Sequence, residues 1–190
     1  MKKYLKAVLT LVIVVTFSTV AIWGINSITA PIIKERADKE AIKAYAALVD
    51  GTIDSINDIS ENFDFSDTGI EKIVELGMET GSTYHALTVR ASGYKGELIL
   101  YVMVVDINEQ KTVGISIIEE HQTPSIGGKL LKNPDYLNKF KDQSLSGSMN
   151  TAGVDMAAGA TQTSAGLDSS VNTVLKFVTD NNNIFVGGDK

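Results

Sequence analysis

Cysteine is absent from this chain of 190 residues, and its absence removes a group of possible chemistries. Without a thiol there is no disulfide, no thiolate metal site, no cysteine nucleophile and no iron–sulfur cluster held by cysteine. Histidine is almost as scarce. The two histidines, His85 and His121, lack partners at the spacing of a zinc site or a serine triad. No residue set in the sequence therefore resembles a site of substrate turnover.

Acidic residues are missing from the N-terminal part, where Lys2, Lys3 and Lys6 precede an uncharged, apolar run from residue 7 to 33. About 20 such residues cross a bilayer as a helix, and basic residues before them place that end in the cytoplasm. The run is longer than the apolar region of a cleaved signal peptide. Pro31 directly after the small residues 27–30 also suits signal peptidase badly. We therefore expect an uncleaved transmembrane anchor.

The expected organisation follows from that anchor. Residues 1–30 form the transmembrane anchor, residues 31–50 a juxtamembrane helix, and residues 51–190 the main domain. That domain lies on the outer side of the inner or plasma membrane, in the periplasm or outside the cell. All 23 acidic residues but only 14 of the 17 basic residues lie beyond Pro31, which gives this part a formal net charge of −9. Such a charge argues against nucleic-acid binding, which needs a basic face.

The middle of the chain has the pattern of an antiparallel sheet. Residues 84–91, 97–106 and 112–119 are β-prone and are joined by short turns, and 70–76 alternates more loosely. Residues 51–68 are polar and are predicted to form a loop. Asn133-Pro134 is a good helix start, and apolar residues from Leu167 to Val178 share one face of a second helix. We expect an α+β domain with a mainly antiparallel sheet and flanking helices, after a single N-terminal transmembrane helix.

The small, hydroxylated stretch before that second helix is the main candidate for a binding site. Its residues 155–164 are rich in Ala, Gly and Thr. Thr163 or Ser164 is a plausible N-cap, and Asp168 would complement the helix dipole. Free N–H groups at a helix start favour a phosphate, although capping alone explains the same residues.

A second pattern has the spacing of a calcium loop. Asp64, Gly69 and Glu75 occupy its first, sixth and twelfth positions, but hydroxyl residues stand at the third and fifth. The segment after Gly69 looks like a strand rather than the exit helix of a calcium loop. We therefore predict no metal site, and an extracellular calcium-binding module remains a minor alternative.

Several motifs together resemble one known family. They are the anchor ending in Thr29-Ala30-Pro31, Gly93-Tyr94 with Gly96, Gln122-Thr123-Pro124-Ser125-Ile126-Gly127, and Asp155 followed by Gly159-Ala160-Thr161-Gln162-Thr163-Ser164. In this order they resemble the FMN-binding family. That family includes the G subunit of Rnf electron-transport complexes and the C subunit of the sodium-translocating NADH:quinone reductase.

The resemblance implies covalent FMN, joined through its phosphate to Thr161 by a flavin transferase that uses FAD. It implies a cofactor site made of Asp155, Ala158, Gly159, Ala160, Thr161, Gln162, Thr163 and Ser164, together with Thr123, Pro124 and Gly127. Two departures from the family pattern stand out. Ala158 replaces the usual Ser or Thr, and Gln122 and Ser125 replace the usual Glu and Gly of the loop.

The function implied is that of a non-catalytic redox subunit. It would relay electrons within a membrane ion-translocating oxidoreductase complex, beside integral-membrane and redox subunits. Two alternatives remain open. One is an outward electron-transfer flavoprotein outside such a complex, and the other is a membrane-anchored binding or structural domain without flavin.

Overall fold

The computed structural model describes residues 2–151 and 160–186, and the chain divides into two units, Met1–Glu40 and Ala41–Lys190. The first helix, α1 (Lys2–Leu48), contains Pro31 within it. Between residues 8 and 33 its side chains are almost all exposed and mostly apolar. The helix is long and apolar enough to cross a membrane.

The second unit is built on a five-stranded antiparallel sheet. Its strands are β1 (Ile53–Asp58), β2 (Ile70–Met78), β3 (Thr83–Ser92), β4 (Leu98–Asp106) and β5 (Lys111–Glu120). Each strand pairs with the next one along the chain, in the order β1-β2-β3-β4-β5. The predicted α+β class and antiparallel sheet are confirmed.

Strand β1 was not expected, because residues 51–68 have the composition of a loop. Its sequence is Ile-Asp-Ser-Ile-Asn-Asp, and only Ile53 and Ser55 are half-buried. It forms because β2 offers a free edge, with Ile56 opposite Leu76 and Asp58 opposite Val74. Acidic side chains on an edge strand also discourage pairing with other chains.

Both faces of the sheet are covered, and β4 shows this most clearly. Tyr101 and Met103 point to a cluster shared with the helices that follow the sheet, whereas Val102 and Val104 point to the opposite face. That opposite face is covered by residues 41–49, including the buried Tyr45. A strand buried on both faces has a nearly continuous apolar sequence, as β4 does.

Among residues 121–151 and 160–186 the structure has four helices: α2 (Gly127–Leu131), α3 (Pro134–Leu137), α4 (Thr161–Asp180) and α5 (Asn182–Val186). Short 3-10 turns occur at Ser60–Asn62, Tyr94–Gly96 and Asn138–Phe140. The predicted start of α3 is confirmed, since the Asn133 side chain accepts the Asp135 N–H at 3.0 Å.

The long helix α4 holds the site against the sheet. Its predicted apolar face is confirmed, since its members are almost fully buried: Leu167, Val171, Val174, Leu175 and Val178. Truncating any one of them to Ala should cost about 2–5 kcal/mol. This packing fixes the helix start relative to β3.

Candidate functional site

The first turn of α4 presents Thr161 at the surface. Thr161 is the first residue of the helix and is exposed, as is Gln162, whereas Ala160 before it is fully buried. The Ala160 carbonyl accepts the first helical bond, from the Ser164 N–H at 3.0 Å. In the described residues no side chain caps this helix. The N–H groups of a helix start favour an anion next to them.

The expected capping role of Thr163 and Ser164 is wrong. The helix begins two or three residues earlier, and both side chains are buried inside its first turn. The Ser164 hydroxyl donates to the Thr161 carbonyl at 2.9 Å, so it back-bonds within the helix. The Thr163 hydroxyl points away from the helix and donates to Gln122 Oε1 at 2.9 Å.

Asp168 also lies elsewhere than its predicted position near the helix dipole. It sits in the third turn rather than the first and is buried, with 6% of its surface exposed. Its carboxylate accepts the Thr151 N–H at 2.6 Å and the Thr151 hydroxyl at 2.8 Å. Tyr136 contacts the Thr151 hydroxyl at 3.3 Å, and burial raises the pKa of this tyrosine to about 12. Asp168 therefore holds the chain against α4 just before residue 152.

The predicted site residues Asp155, Ala158 and Gly159 lie outside the described residues. Their roles stay predictions.

Gln122 joins the loop after β5 to two other segments. It is 4% exposed. Besides the Thr163 hydroxyl, its Oε1 accepts the Tyr94 N–H at 3.0 Å, and its Nε2 donates to the Glu97 carbonyl at 3.0 Å. The turn at 93–97, the loop at 121–127 and the first turn of α4 therefore meet at one amide side chain.

A cavity of 310 Å³ lies where these segments meet, lined by Tyr94, Gln122, Thr123, Ile126, Gly127 and Thr163. The structure thus brings together three predicted site residues, Thr123, Gly127 and Thr163. Gly127 is needed for the space, because a Cβ there would lie 2.6 Å from Thr163 Oγ1. Pro124 is exposed in the same loop but does not line the cavity.

Sequence reasoning did not select Gln122, Tyr94 or Ile126 as site residues. Tyr94 belongs to the Gly93-Tyr94 motif, so the motif was a usable signal for it. Gln122 was noted only as a departure from the family loop. Its contacts join residues 28 and 41 positions apart, and no local pattern reveals such pairs.

The candidate calcium loop has a different local structure. Asp64 accepts the N–H and hydroxyl of Ser66 at 3.2 and 2.7 Å, and these bonds lower the pKa of its carboxyl. The expected strand after Gly69 is confirmed as β2. Glu75 therefore sits within the sheet, opposite His85, and the arrangement is not that of a helix–loop–helix calcium site.

Comparison with known proteins supports the fold and finds one family model that matches part of the chain. Residues 93–176 match the family model described as FMN-binding domain. The chain is also similar to a crystal structure of the C subunit of Na(+)-translocating NADH-quinone reductase from Parabacteroides distasonis. That match has a TM-score of 0.50 and 18% sequence identity, and it covers 76% of this chain and 93% of that chain. At this identity the similarity speaks for the fold alone. No curated protein matches the chain.

Proposed function

We propose that the protein is an electron-transfer subunit with FMN bonded through its phosphate to Thr161, because residues 93–176 match the family model described as FMN-binding domain. It relays electrons within a membrane ion-translocating oxidoreductase complex. When bound, FMN supplies reversible electron transfer, and the protein supplies attachment, orientation and exclusion of water.

The observation that carries this proposal is the position of Thr161. Its side chain is exposed in the first turn of α4, the same turn whose buried Thr163 lines the 310 Å³ cavity, although the two side chains leave the helix in different directions. In the attachment step the Thr161 hydroxyl oxygen bonds to the phosphorus of the FMN half of FAD. The bond between the two phosphates breaks, AMP leaves, and the hydroxyl proton is released. A separate transferase performs this step.

The residues present fit a flavin phosphate and ring. The helix start faces the phosphate with N–H groups, which stabilise its negative charge. Directly before Thr161 the small side chain of Ala160 is fully buried, so it leaves the Thr161 hydroxyl uncovered on that side. The cavity next to Thr163 is bordered by backbone at Gly127 and by the half-exposed Tyr94 ring. Both are suited to contact a flat aromatic group.

The remaining predicted contacts belong to the same proposal. Thr123 lines the cavity and Pro124 keeps its loop rigid, while Gln162 and Ser164 accompany Thr161 in the first turn. Asp155, Ala158 and Gly159 complete the set on the chain leading to Ala160.

Membrane attachment and partners form the second part of the proposal. Residues 1–30 anchor the chain with the N-terminus in the cytoplasm, residues 31–50 continue as a helix, and the FMN-binding domain of 51–190 lies on the outer side. The three lysines before the apolar run support this orientation. The partners are integral-membrane and redox subunits of the complex, because a bound flavin without a turnover site must exchange electrons with other centres.

The decisive experiment is the intact mass of the protein from its native host, followed by peptide mapping. We expect a gain equal to FMN less one water on the tryptic peptide 142–176, which contains Thr161. Because that peptide holds other threonines, fragmentation must place the group on Thr161. Thr161→Ala should abolish the gain.

Thr173→Ala is the matched control, since Thr173 is exposed on the same helix and bonds only to the Ser169 carbonyl at 3.0 Å. It should keep the full mass gain. An unmodified wild-type protein, in cells whose transferase modifies another substrate, would refute the attachment. A flavin-free anchored domain would then be the better description.

A further inference from the structure

We propose that Gln122 is the positioning residue of the flavin site, and that its neutral amide fixes the Thr163 turn of α4 against the Tyr94 turn across the cavity. This inference rests on the proposed function for its link to flavin. The arrangement itself concerns only residues of this chain.

The hydrogen bonds of Gln122 allow one orientation of its amide. The Tyr94 N–H can only donate and the Glu97 carbonyl can only accept, so Oε1 must face Tyr94 and Nε2 must face Glu97. The Thr163 hydroxyl then fills the second acceptor position of Oε1. Two bonds of this buried group therefore hold the turn at 93–97, and the third holds the first turn of α4.

The backbone of Gln122 is held as firmly as its side chain. Its N–H donates to Glu120 Oε2 at 2.8 Å, and Lys132 contacts the other oxygen of this carboxylate at 2.8 Å. Only 10% of the Glu120 side chain is exposed, and charge-assisted bonds in such a setting are among the stronger ones. The backbone position from which the Gln122 side chain extends is therefore restrained.

Packing leaves the amide little freedom to move. A Cβ at Gly93 would lie 2.5 Å from Gln122 Oε1, and a Cβ at Gly127 would lie 3.0 Å from Gln122 Cβ. Both neighbours have to be glycine for this side chain to fit between them. The same two segments carry Tyr94 and the loop that borders the cavity, so displacement of Gln122 alters the cavity wall.

Glu is the usual residue of the family loop at this position, but with the contacts of this chain a carboxylate would lose the bond that Gln122 Nε2 donates to the Glu97 carbonyl. In Gln122→Glu, one oxygen would face the Glu97 carbonyl, which lies 3.0 Å from Nε2, with no proton between them. Burial and this repulsion should raise the pKa of the new carboxyl. With its carboxyl protonated, the variant should therefore keep the hydrogen bonds of the wild type to Tyr94, Glu97 and Thr163. With the carboxyl ionised, it should lose the bond to the Glu97 carbonyl and the positioning that depends on it.

The test compares Gln122→Leu and Gln122→Glu with the wild type in the full-length protein. We expect Gln122→Leu to slow FMN attachment to Thr161 by about tenfold, since small misplacements of a reacting group are costly. It should also change the visible circular dichroism and the midpoint potential of the flavin that does attach. Gln122→Glu should match the wild type in the visible spectrum at pH 5 and match Gln122→Leu at pH 8.

Gln143→Leu is the control, because Gln143 lies outside the site and its side chain bonds only to the Lys141 carbonyl. Thermal unfolding of each variant identifies any that fails to fold. Wild-type attachment rate, dichroism and potential in a folded Gln122→Leu protein would overturn the inference.

A readout without flavin keeps the two proposals separable. In flavin-free protein, Gln122→Leu should speed amide hydrogen exchange at Tyr94 at least tenfold, because the acceptor of its N–H is gone. Gln143→Leu should leave that exchange unchanged. If wild-type protein never gains FMN but this exchange difference appears, the flavin proposal fails and the positioning role stands. Unchanged exchange refutes the positioning role, whatever the flavin content.

Discussion

Replacing Gly166 by Ala sets helix propensity against close packing, and the structure decides which effect wins. Gly166 lies inside α4 where the helix approaches the end of β3. A Cβ there would overlap the Ser92 carbonyl oxygen and lie 3.1 Å from the carbonyl carbon and 3.3 Å from Gly93 Cα. All three obstacles are backbone atoms, so no side chain can rotate away.

The cost of overpacking should exceed the gain in helix propensity. Ala in place of Gly stabilises a helix interior by about 1 kcal/mol. Reaching ordinary contact distance, however, requires α4 to move from the Ser92 carbonyl by at least about 1 Å. Overpacking of this kind costs about 1–3 kcal/mol, and rigid backbone on one side places this site at the upper end. The net result should be a loss of about 2 kcal/mol, or roughly 4–8 °C in Tm for a unit of this size.

Thermal unfolding followed by near-UV circular dichroism measures this loss. Five of the six tyrosines lie beyond residue 40, whereas the single tryptophan, Trp23, lies in the first unit, so the tyrosine part of the signal is the one that reports the second unit. Ser169→Ala, at an exposed position of the same helix, is the control and should be neutral or slightly stabilising. A Gly166→Ala protein that melts at or above the wild-type temperature would show that the close approach is not a constraint.

Three further predictions concern buried groups of the second unit. Gly127→Ala should destabilise the protein by about 1–3 kcal/mol, because its Cβ would lie 2.6 Å from Thr163 Oγ1. Denaturant unfolding measures this loss. Adding Thr163→Ala should recover part of it, because the obstructing hydroxyl is then gone. Asp168→Asn should lower the free energy of unfolding by about 1–3 kcal/mol, because it removes the carboxylate charge and replaces one of the two oxygens that accept from Thr151 with a donor nitrogen. Burial lowers the pKa of His85 from 6.5, against the opposing effect of nearby carboxylates. Keeping His85 neutral therefore costs nothing above pH 6.5, and the free energy of unfolding falls as the pH drops below that value. His85→Asn should reduce this fall at acidic pH.

Each of these predictions has its own control and contrary result. Strict additivity of Gly127→Ala and Thr163→Ala would show that the two positions do not meet. Asp180→Asn, at an exposed position of α4, should cost little, and equal losses at Asp168 and Asp180 would contradict the role of the buried carboxylate. His121→Asn tests an exposed histidine. If it changes the pH profile as much as His85→Asn does, burial is not the cause.

Elements with a strong period could be predicted from the sequence. Strands β3, β4 and β5 have β-prone runs separated by clear turn residues, and the apolar spacing from Leu167 to Val178 defines one helix face. The elements that pack against them need not be known, because the spacing of apolar residues alone shows whether one face or both faces are buried. The Asn133-Pro134 helix start is equally local, since the cap and the proline act within one turn.

Elements defined by their partners could not be predicted in this way. Strand β1 is polar, and it is a strand because β2 lies beside it. Residues 41–49 read as a simple continuation of the juxtamembrane helix, although Tyr45 is buried against the sheet. Thr163 looked like a helix cap, because its true acceptor, Gln122, is 41 residues away. The placement of the site at α4 stays a prediction from motifs, and the contacts of Gln122 with Thr163 and Tyr94 became visible only in the fold.

The sequential order of the sheet has a consequence for synthesis of the protein. Every strand is complete once Glu120 has been made, but α4 begins only at Thr161, after 40 more residues. At about 5–20 residues per second this interval lasts roughly 2–8 s. During that time the sheet face that carries Tyr101 and Met103 has no α4 to cover it. A newly made chain must therefore pass through a stage with an open apolar face, which a chaperone or the membrane surface can protect.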